Sequence, residues 1–353
     1  MSITSSLPTS TLPVVSLARW RSTPADQAAL ADEVRQICHE IGFFLLVDHG
    51  IEPAFMDRVF STMRDLFSLP PEQKRLIDKL ASPHFRGWEG EGAEYTNNRP
   101  DIREQVDLWS EHPVRVDPDE PYHRLLGPNQ WFPEDVLPGF RDLMTEWFER
   151  MGALADQLMQ ILALGLGLDA DHFDRIFGAE RMSLTKLIRY PPTPTGQAGV
   201  NAHHDAGFLT ILAAGETPGL QVENEVGDWI DVPPTPGAFV INLGEMLQGM
   251  SGNYYVATPH RVITDQLRFS AGYFHGPSLH TTLDPLPLDP SYPAAVEASP
   301  RHASAGFMAR KHETEAGVGD MQSDYKPAVY GEQLWNYFSR SYPDNVAAHY
   351  PDG

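Results

Sequence analysis

Cysteine is almost absent from this chain. Among 353 residues there is one, Cys38, so no intramolecular disulfide and no multi-cysteine metal cluster is available. Val34, Ile37 and Ile41 surround it at helical spacing, the setting of an inert buried thiol. Long apolar runs are missing too. The longest, Gly42–Val47 and Ile161–Leu168, are far too short to span a bilayer. The first thirteen residues are rich in Ser, Thr and Pro and lack a basic stretch followed by an apolar one, so they do not read as a secretion signal. Positive charge is scarce. Lys plus Arg number 26 against 48 Asp plus Glu, a formal net charge of −22, which argues against nucleic acid and anionic membrane as partners. There is no internal repeat and no low-complexity tract. These absences leave a reducing, cytoplasmic setting and a small-molecule partner as the expectation.

At 41% hydrophobic the chain can bury a sizeable core. Leu12–Leu17 reads as a short strand. Pro24–Ile41 has helical spacing, with Thr23 a good N-cap and Pro24 a good first helical residue. Gly42–Val47 is a continuous apolar run and reads as a buried strand. Pro53–Leu69 and Pro133–Gly165 read as amphipathic helices. Ser82–Pro113, rich in Gly, Asn and charge, reads as irregular chain over a surface or pocket mouth. Near Met182 the character changes to short β-type runs divided by Gly and Pro: Leu184–Tyr190, Gly207–Ala213, Gly219–Glu223, Trp229–Val232, Ala238–Leu243, Val256–Ile263 and Phe269–His275. Turns fall at Asn224–Asp228 and Pro236-Gly237. After Pro285 come loops and a helix over Tyr330–Tyr342. The expected architecture is mainly β with flanking helices around a jelly-roll core, a double-stranded β-helix. It divides into a mainly helical region 1–181, a jelly-roll core 182–285 and a C-terminal region 286–353, joined as one integrated unit.

The chemistry gathers in Asn201–Leu212. In a strand, residues two apart share a face, so His203 and Asp205 project together and His204 points away. A one-residue slip in register would exchange the two histidines. His260 lies on a second predicted strand. Two histidines and a carboxylate on one face of a metal leave the opposite face open, the facial triad of non-haem iron oxygenases. Arg268 and Ser270 share a strand face a few residues later. A guanidinium fork beside a hydroxyl suits a bound carboxylate, and an internal carboxylate would serve the arginine equally well.

With these residues in place, the sequence resembles the isopenicillin-N-synthase-like group of Fe(II)/2-oxoglutarate-dependent oxygenases, over most of its length. The resemblance is carried by Leu12-Pro13-Val14-Val15, Gly42-Phe43-Phe44, Asp48-His49-Gly50, Phe67-Ser68-Leu69-Pro70 and Arg86-Gly87-Trp88. It continues in His203-x-Asp205, Gly219-Leu220-Gln221-Val222, Trp229–Pro233, Asn242–Met246, Pro259-His260-Arg261-Val262 and Arg268-x-Ser270. It implies that His203, Asp205 and His260 bind Fe(II). It implies that Arg268 and Ser270 hold the distal carboxylate of 2-oxoglutarate, with O2 as the other co-substrate and succinate and CO2 as products. Tyr190 keeps an aromatic position next to the cofactor; Ile188 stands where many plant members have a polar residue. Arg189 adds positive charge, placed either at the cofactor end or in a salt bridge. Arg189-Tyr190-Pro191-Pro192 and the tail motifs Tyr330-Gly331-Glu332 and Ser341-Tyr342-Pro343 look closer to bacterial members, including the ethylene-forming enzyme. Glu94 and Thr96 fall where that enzyme's substrate loop would lie. Two other readings stand beside this one: an oxidase of the same fold that needs no 2-oxoglutarate, and a metal-binding jelly roll without catalysis.

Overall fold

The computed structural model describes residues 10–96, 99–116, 118–178, 180–299, 302 and 328–351. The chain opens with strand β1 (Val14–Ser16) and helix α1 (Pro24–Glu40). Thr23 and Asp26 cap α1 reciprocally, with Pro24 in its first turn, so local chemistry alone marks the start. Its apolar stripe, Leu30, Ala31, Val34, Ile37 and Cys38, is buried. The turn out of α1 needs glycine. Gly42 has φ +67°, and a Cβ there would stand 2.0 Å from the Val256 carbonyl oxygen. Strand β2 (Phe43–Val47) follows, then α2 (Pro53–Ser68), the single turn α3 (Pro71–Lys74), and strands β3 (Gly87–Glu89), β4 (Tyr95–Thr96), β5 (Arg99–Pro100) and β6 (Glu104–Trp109). Helix α4 (Phe140–Gly165) begins seven residues later than its spacing suggests, after Pro138 and a Gly139 at φ +67°.

The remaining strands are β7 (Leu184–Tyr190), β8 (Val200–His203), β9 (Leu209–Ala213), β10 (Leu220–Glu223), β11 (Trp229–Asp231), β12 (Phe239–Leu243), β13 (His260–Val262) and β14 (Arg268–His275), with α5 (Glu245–Met250) before β13. Helices α6 (Ser291–Glu297), α7 (Tyr330–Ser341) and α8 (Pro343–His349) complete the described chain. Eight strands form one sheet in the order β1-β2-β12-β9-β14-β7-β6-β3; four form a second, β11-β10-β13-β8. Only β1–β2 is parallel within these two sheets. The two sheets are the layers of the jelly roll. Helices α1 and α4 pack on each other, and the Trp147 indole of α4 donates to Thr185 on the outer face of the large sheet.

Two expectations need correction. Ser82–Pro113 is not irregular surface chain throughout. Its last part is β6, buried at all six positions and paired with β7 from Glu104↔Arg189 to Trp109↔Leu184. Within it Glu104, Gln105 and Asp107 each face buried partners, Lys74, Glu94 and Lys79. The region before 182 is therefore not merely a helical buttress: it supplies β1, β2, β3 and β6 to the large sheet. Nor is Asn201–Leu212 one strand. Its first part is β8 of the small sheet and its last part is β9 of the large one. The corner between them is tight. A Cβ on Gly244 would lie 2.1 Å from the Gly207 carbonyl oxygen, which explains the glycine after Asn242-Leu243.

Candidate metal centre

His203 and His260 are cross-strand neighbours, paired directly across β8 and β13. Their ring centroids are 4.3 Å apart. Asp205 lies just past the end of β8, and its Oδ1 stands 3.7 Å from His203 Nε2 and 3.5 Å from His260 Nε2. The ligand atoms of all three lie within 4.8 Å of one another. The i, i+2 argument does bring His203 and Asp205 together, although Asp205 sits in the corner, not in the strand. His204 points elsewhere, with Nδ1 3.9 Å from Glu245.

Each of the three is oriented from behind. His203 Nδ1 lies 2.9 Å from the Asn201 carbonyl and His260 Nδ1 3.1 Å from the Thr258 carbonyl. Both rings therefore carry their proton on Nδ1 and present the Nε2 lone pair inward. The Thr210 hydroxyl and the Asn242 amide donate to Asp205 Oδ2 at 2.5 and 2.7 Å, which leaves Oδ1 to face the histidines. Neither Thr210 nor Asn242 carries a role in the sequence reading. A clue was present, since an amide inside the apolar run Phe239–Leu243 must find a partner when buried.

The electrostatics fit a cation site. Burial, then the adjacent His260, pushes His203 down to about 3, a ring that stays neutral. Burial works to raise Asp205, but His260, His203 and the Thr210 hydroxyl together outweigh it and hold the carboxyl well below its usual range. Burial likewise works against a charged His260, and Asp205 reverses that and raises it.

Strand register tells which side chains share this compartment. Paired residues of an antiparallel sheet lie on one face. The pairs Asn242↔Thr210, Thr210↔Phe274, Ser270↔Ile188 and Arg268↔Tyr190 put Arg268 and Ser270 on the face that carries Asn242 and Thr210. Arg268 is 1% exposed and its guanidinium lies 5.1 Å from the centre of the Tyr190 ring. Burial lowers its proton affinity. Its Nε and Nη1, and the Ser270 hydroxyl, are buried without a hydrogen-bond partner. No carboxylate among the described residues pairs with Arg268, so the internal-carboxylate alternative is not what is seen. Unsatisfied buried donors of this kind are costly, and a ligand carboxylate would relieve them.

Arg189 corrects an expectation. It alternates with Tyr190 and so lies on the opposite face, paired to Glu104 and Glu91 at 3.3 Å each. The salt-bridge option is the one observed. Glu94 and Thr96 are not free loop residues either. Glu94 is buried between Arg103 (2.7 Å), Lys186 (3.1 Å), Gln105 (2.6 Å) and the Tyr337 hydroxyl (3.1 Å). The Thr96 hydroxyl donates to Asp101 at 2.7 Å. Their polar groups are spent on the chain itself. Asp101 and Arg103, which hold them, carry no role in the sequence reading, because charged residues in a stretch rich in Gly, Asn and charge look solvated; Lys186, the third, stands within the predicted strand Leu184–Tyr190.

Comparison with known proteins agrees with this geometry. Residues 12–134 match the family described as non-haem dioxygenase in morphine synthesis N-terminal, and residues 180–277 match the 2OG-Fe(II) oxygenase superfamily. The 2-oxoglutarate-dependent dioxygenase frbJ of Dothideomycetidae sp. (strain 11243) is 33% identical over 94% of this chain and 90% of its own length. The homoarginine-6-hydroxylase 2-ODD-C23.1 of Arabidopsis thaliana is 29% identical over 92% and 95%. A full-length Neurospora crassa protein, solved in complex with alpha-KG and thymine, superposes with TM-score 0.74 over 94% of this chain and 97% of its own, at 24% identity, a likeness of fold. These curated relatives are fungal and plant proteins, and they lend no support to the expected tie with bacterial members or the ethylene-forming enzyme. They also separate this chain from a 2-oxoglutarate-independent oxidase and from a non-catalytic metal carrier. The chain belongs to the 2OG-Fe(II) oxygenase superfamily and is a dioxygenase that works with Fe(II), 2-oxoglutarate and O2.

Proposed function

We propose that His203, Asp205 and His260 hold the Fe(II), that Arg268 and Ser270 take the distal carboxylate of 2-oxoglutarate, and that the enzyme oxidises a small organic molecule. One observation carries this reading. The orphaned guanidinium and hydroxyl lie on the same sheet face as Thr210 and Asn242, the residues that aim Asp205. When bound, the iron supplies the oxidative chemistry that couples 2-oxoglutarate decarboxylation to substrate oxidation. The chain's part is to orient and shield. The carbonyls of Asn201 and Thr258 fix both imidazoles. Tyr190 covers the Arg268 fork and keeps water from it. Glu94 and Thr96 serve the compartment through their ion-pair and hydrogen-bond partners, not by touching substrate. The acidic balance of the chain supports a partner other than nucleic acid, and the buried Cys38 suits a reducing cytoplasm. No helix among the described residues is long and apolar enough to cross a membrane. The first part and the core act as one unit, joined through β6 and β7.

Anaerobic titration of the Fe(II)-loaded protein with 2-oxoglutarate tests the assignment. A weak visible charge-transfer band is expected in the wild type and absent from His260→Ala. In Arg268→Ala the iron stays bound and the 2-oxoglutarate concentration needed rises by about a hundredfold, the scale of a lost bidentate charge-assisted contact. An unchanged requirement in Arg268→Ala would move the cofactor carboxylate elsewhere.

A further inference from the structure

Behind His203 runs a chain of buried polar contacts that the metal site by itself does not account for. The ring nitrogen His203 Nδ1 meets the Asn201 carbonyl at 2.9 Å. Asn201 in turn donates twice to Asp101 Oδ1, from its backbone N–H at 3.3 Å and its side-chain amide at 3.2 Å. The other carboxylate oxygen of Asp101 accepts from the Thr96 hydroxyl at 2.7 Å and pairs with Arg103 at 3.1 Å. The Asp101 side chain is 0% exposed. Arg103 is anchored to Glu94 at 2.7 Å, and Glu94 to Lys186 and to the hydroxyl of Tyr337 on α7.

The place of β8 in the fold makes this chain consequential. β8 is an edge strand of the small sheet, paired on one side only, with β13. Even that pairing is short and irregular: His260↔His203 and Val262↔Val200 are joined across a shift in register. An edge strand held by so few ladder bonds does not fix a side chain to the tolerance a metal ligand needs. On its other edge, Asp101 takes the Asn201 N–H that no neighbouring strand takes. Resting on the metal-site reading above, we propose that Asp101 is a positioning residue for His203. It clamps Asn201 from the open edge of β8, so that the Asn201 carbonyl sets the ring orientation of the first iron ligand. Arg103 keeps the carboxylate in place and charged.

Asp101→Asn keeps the shape and removes one of two acceptor oxygens. Arg103 and Thr96 compete for the one that remains, and Asn201 faces an amide donor. The expected result is a weakening of Fe(II) affinity by about tenfold or more, the range known for lost outer-shell partners. It should come with a shift of the Fe(II)–2-oxoglutarate band and an apo-protein melting temperature close to wild type. Thr96→Val removes a bond to the same carboxylate without touching Asn201, and its Fe(II) affinity is expected within about twofold of wild type. Asn201→Ala deletes the amide bond alone and adds no unbalanced charge, so it decides the matter where Asp101→Asn does not fold; a weakening of about threefold is expected, half the clamp being kept. Unchanged Fe(II) affinity in Asp101→Asn, or in Asn201→Ala if only that variant folds, would overturn the proposal. So would an equal loss in Thr96→Val, which marks general damage to the hairpin. Fe(II) affinity is read without 2-oxoglutarate. A wild type that binds iron but shows no band would therefore refute the co-substrate assignment and leave this comparison intact.

Discussion

At the scale of single residues, the site is built by partners that aim the ligands as much as by the ligands. Thr210 and Asn242 both occupy Asp205 Oδ2. Removing one should weaken iron without unfolding the protein. Thr210→Val, nearly the same shape, is expected to cost about tenfold in Fe(II) affinity, measured by anaerobic titration; wild-type affinity would show that Asn242 alone suffices. The candidate ligands were suggested by the sequence: His203 and Asp205 by a spacing of two, His260 by its place on a second predicted strand. Their supporters were not. Thr210 and Asn242 sit inside ordinary strand runs, and what makes them special is that β9 and β12 pair at Asn242↔Thr210, a fact of the fold. Arg189 shows the converse. Its proximity to Tyr190 in sequence suggested a shared role, and strand alternation put the two on opposite faces.

At the scale of elements, helix α7 docks through a cluster of aromatic side chains. Phe338, 2% exposed, packs against Phe85, Trp109, Tyr337 and Tyr342, while Tyr337 reaches Glu94 and Tyr342 of the following turn reaches Glu89. Truncation of Phe338 to Ala is expected to destabilise by about 3–5 kcal/mol, the range for a buried aromatic, read as the shift in denaturant midpoint. A loss under about 1 kcal/mol would mean that α7 is only loosely docked. At the other end, Thr23→Ala removes the cap of α1 and should cost about 1 kcal/mol by the same measurement. Both helices were expected from the sequence, α1 from its spacing and its Thr23 cap. β6 was not. A strand buried on both faces and carrying Glu, Gln and Asp violates the alternation by which strands are recognised, and its charges are tolerated only because Lys74, Lys79 and Lys186 meet them inside.

At the scale of the whole molecule, histidines set the response to mild acid. Burial lowers His49, His84 and His275 below their ordinary 6.5, so in the folded protein these rings resist protonation. Unfolded, they titrate near 6.5. A depressed histidine therefore contributes stability that is present above the unfolded value and lost as pH falls below it. The excess of carboxylates works the other way, because protonating them relieves repulsion, but they titrate near 4 and stay charged in this window. The metal-free protein is expected to melt at a lower temperature at pH 5.5 than at pH 7.5, followed by calorimetry. A rise instead would show that relief of the −22 charge already dominates there.

Residue chemistry alone pointed to the family, and it singled out His203, Asp205, His260, Arg268 and Ser270 as the candidates for metal and carboxylate, two of the pairs at a spacing that shares a strand face. It also placed most of the core strands, whose turns are marked by Gly, Pro and Asn. Which residues aim the candidate ligands, and which charged residues are interior, emerged with the packing of distant strands. Strand register set Arg189 on the face opposite Tyr190, and packing against the open edge of β8 brought Asp101 within reach of Asn201, a hundred positions away. Contacts between distant strands follow from the order in which the sheets close, and no local pattern of residues encodes that order.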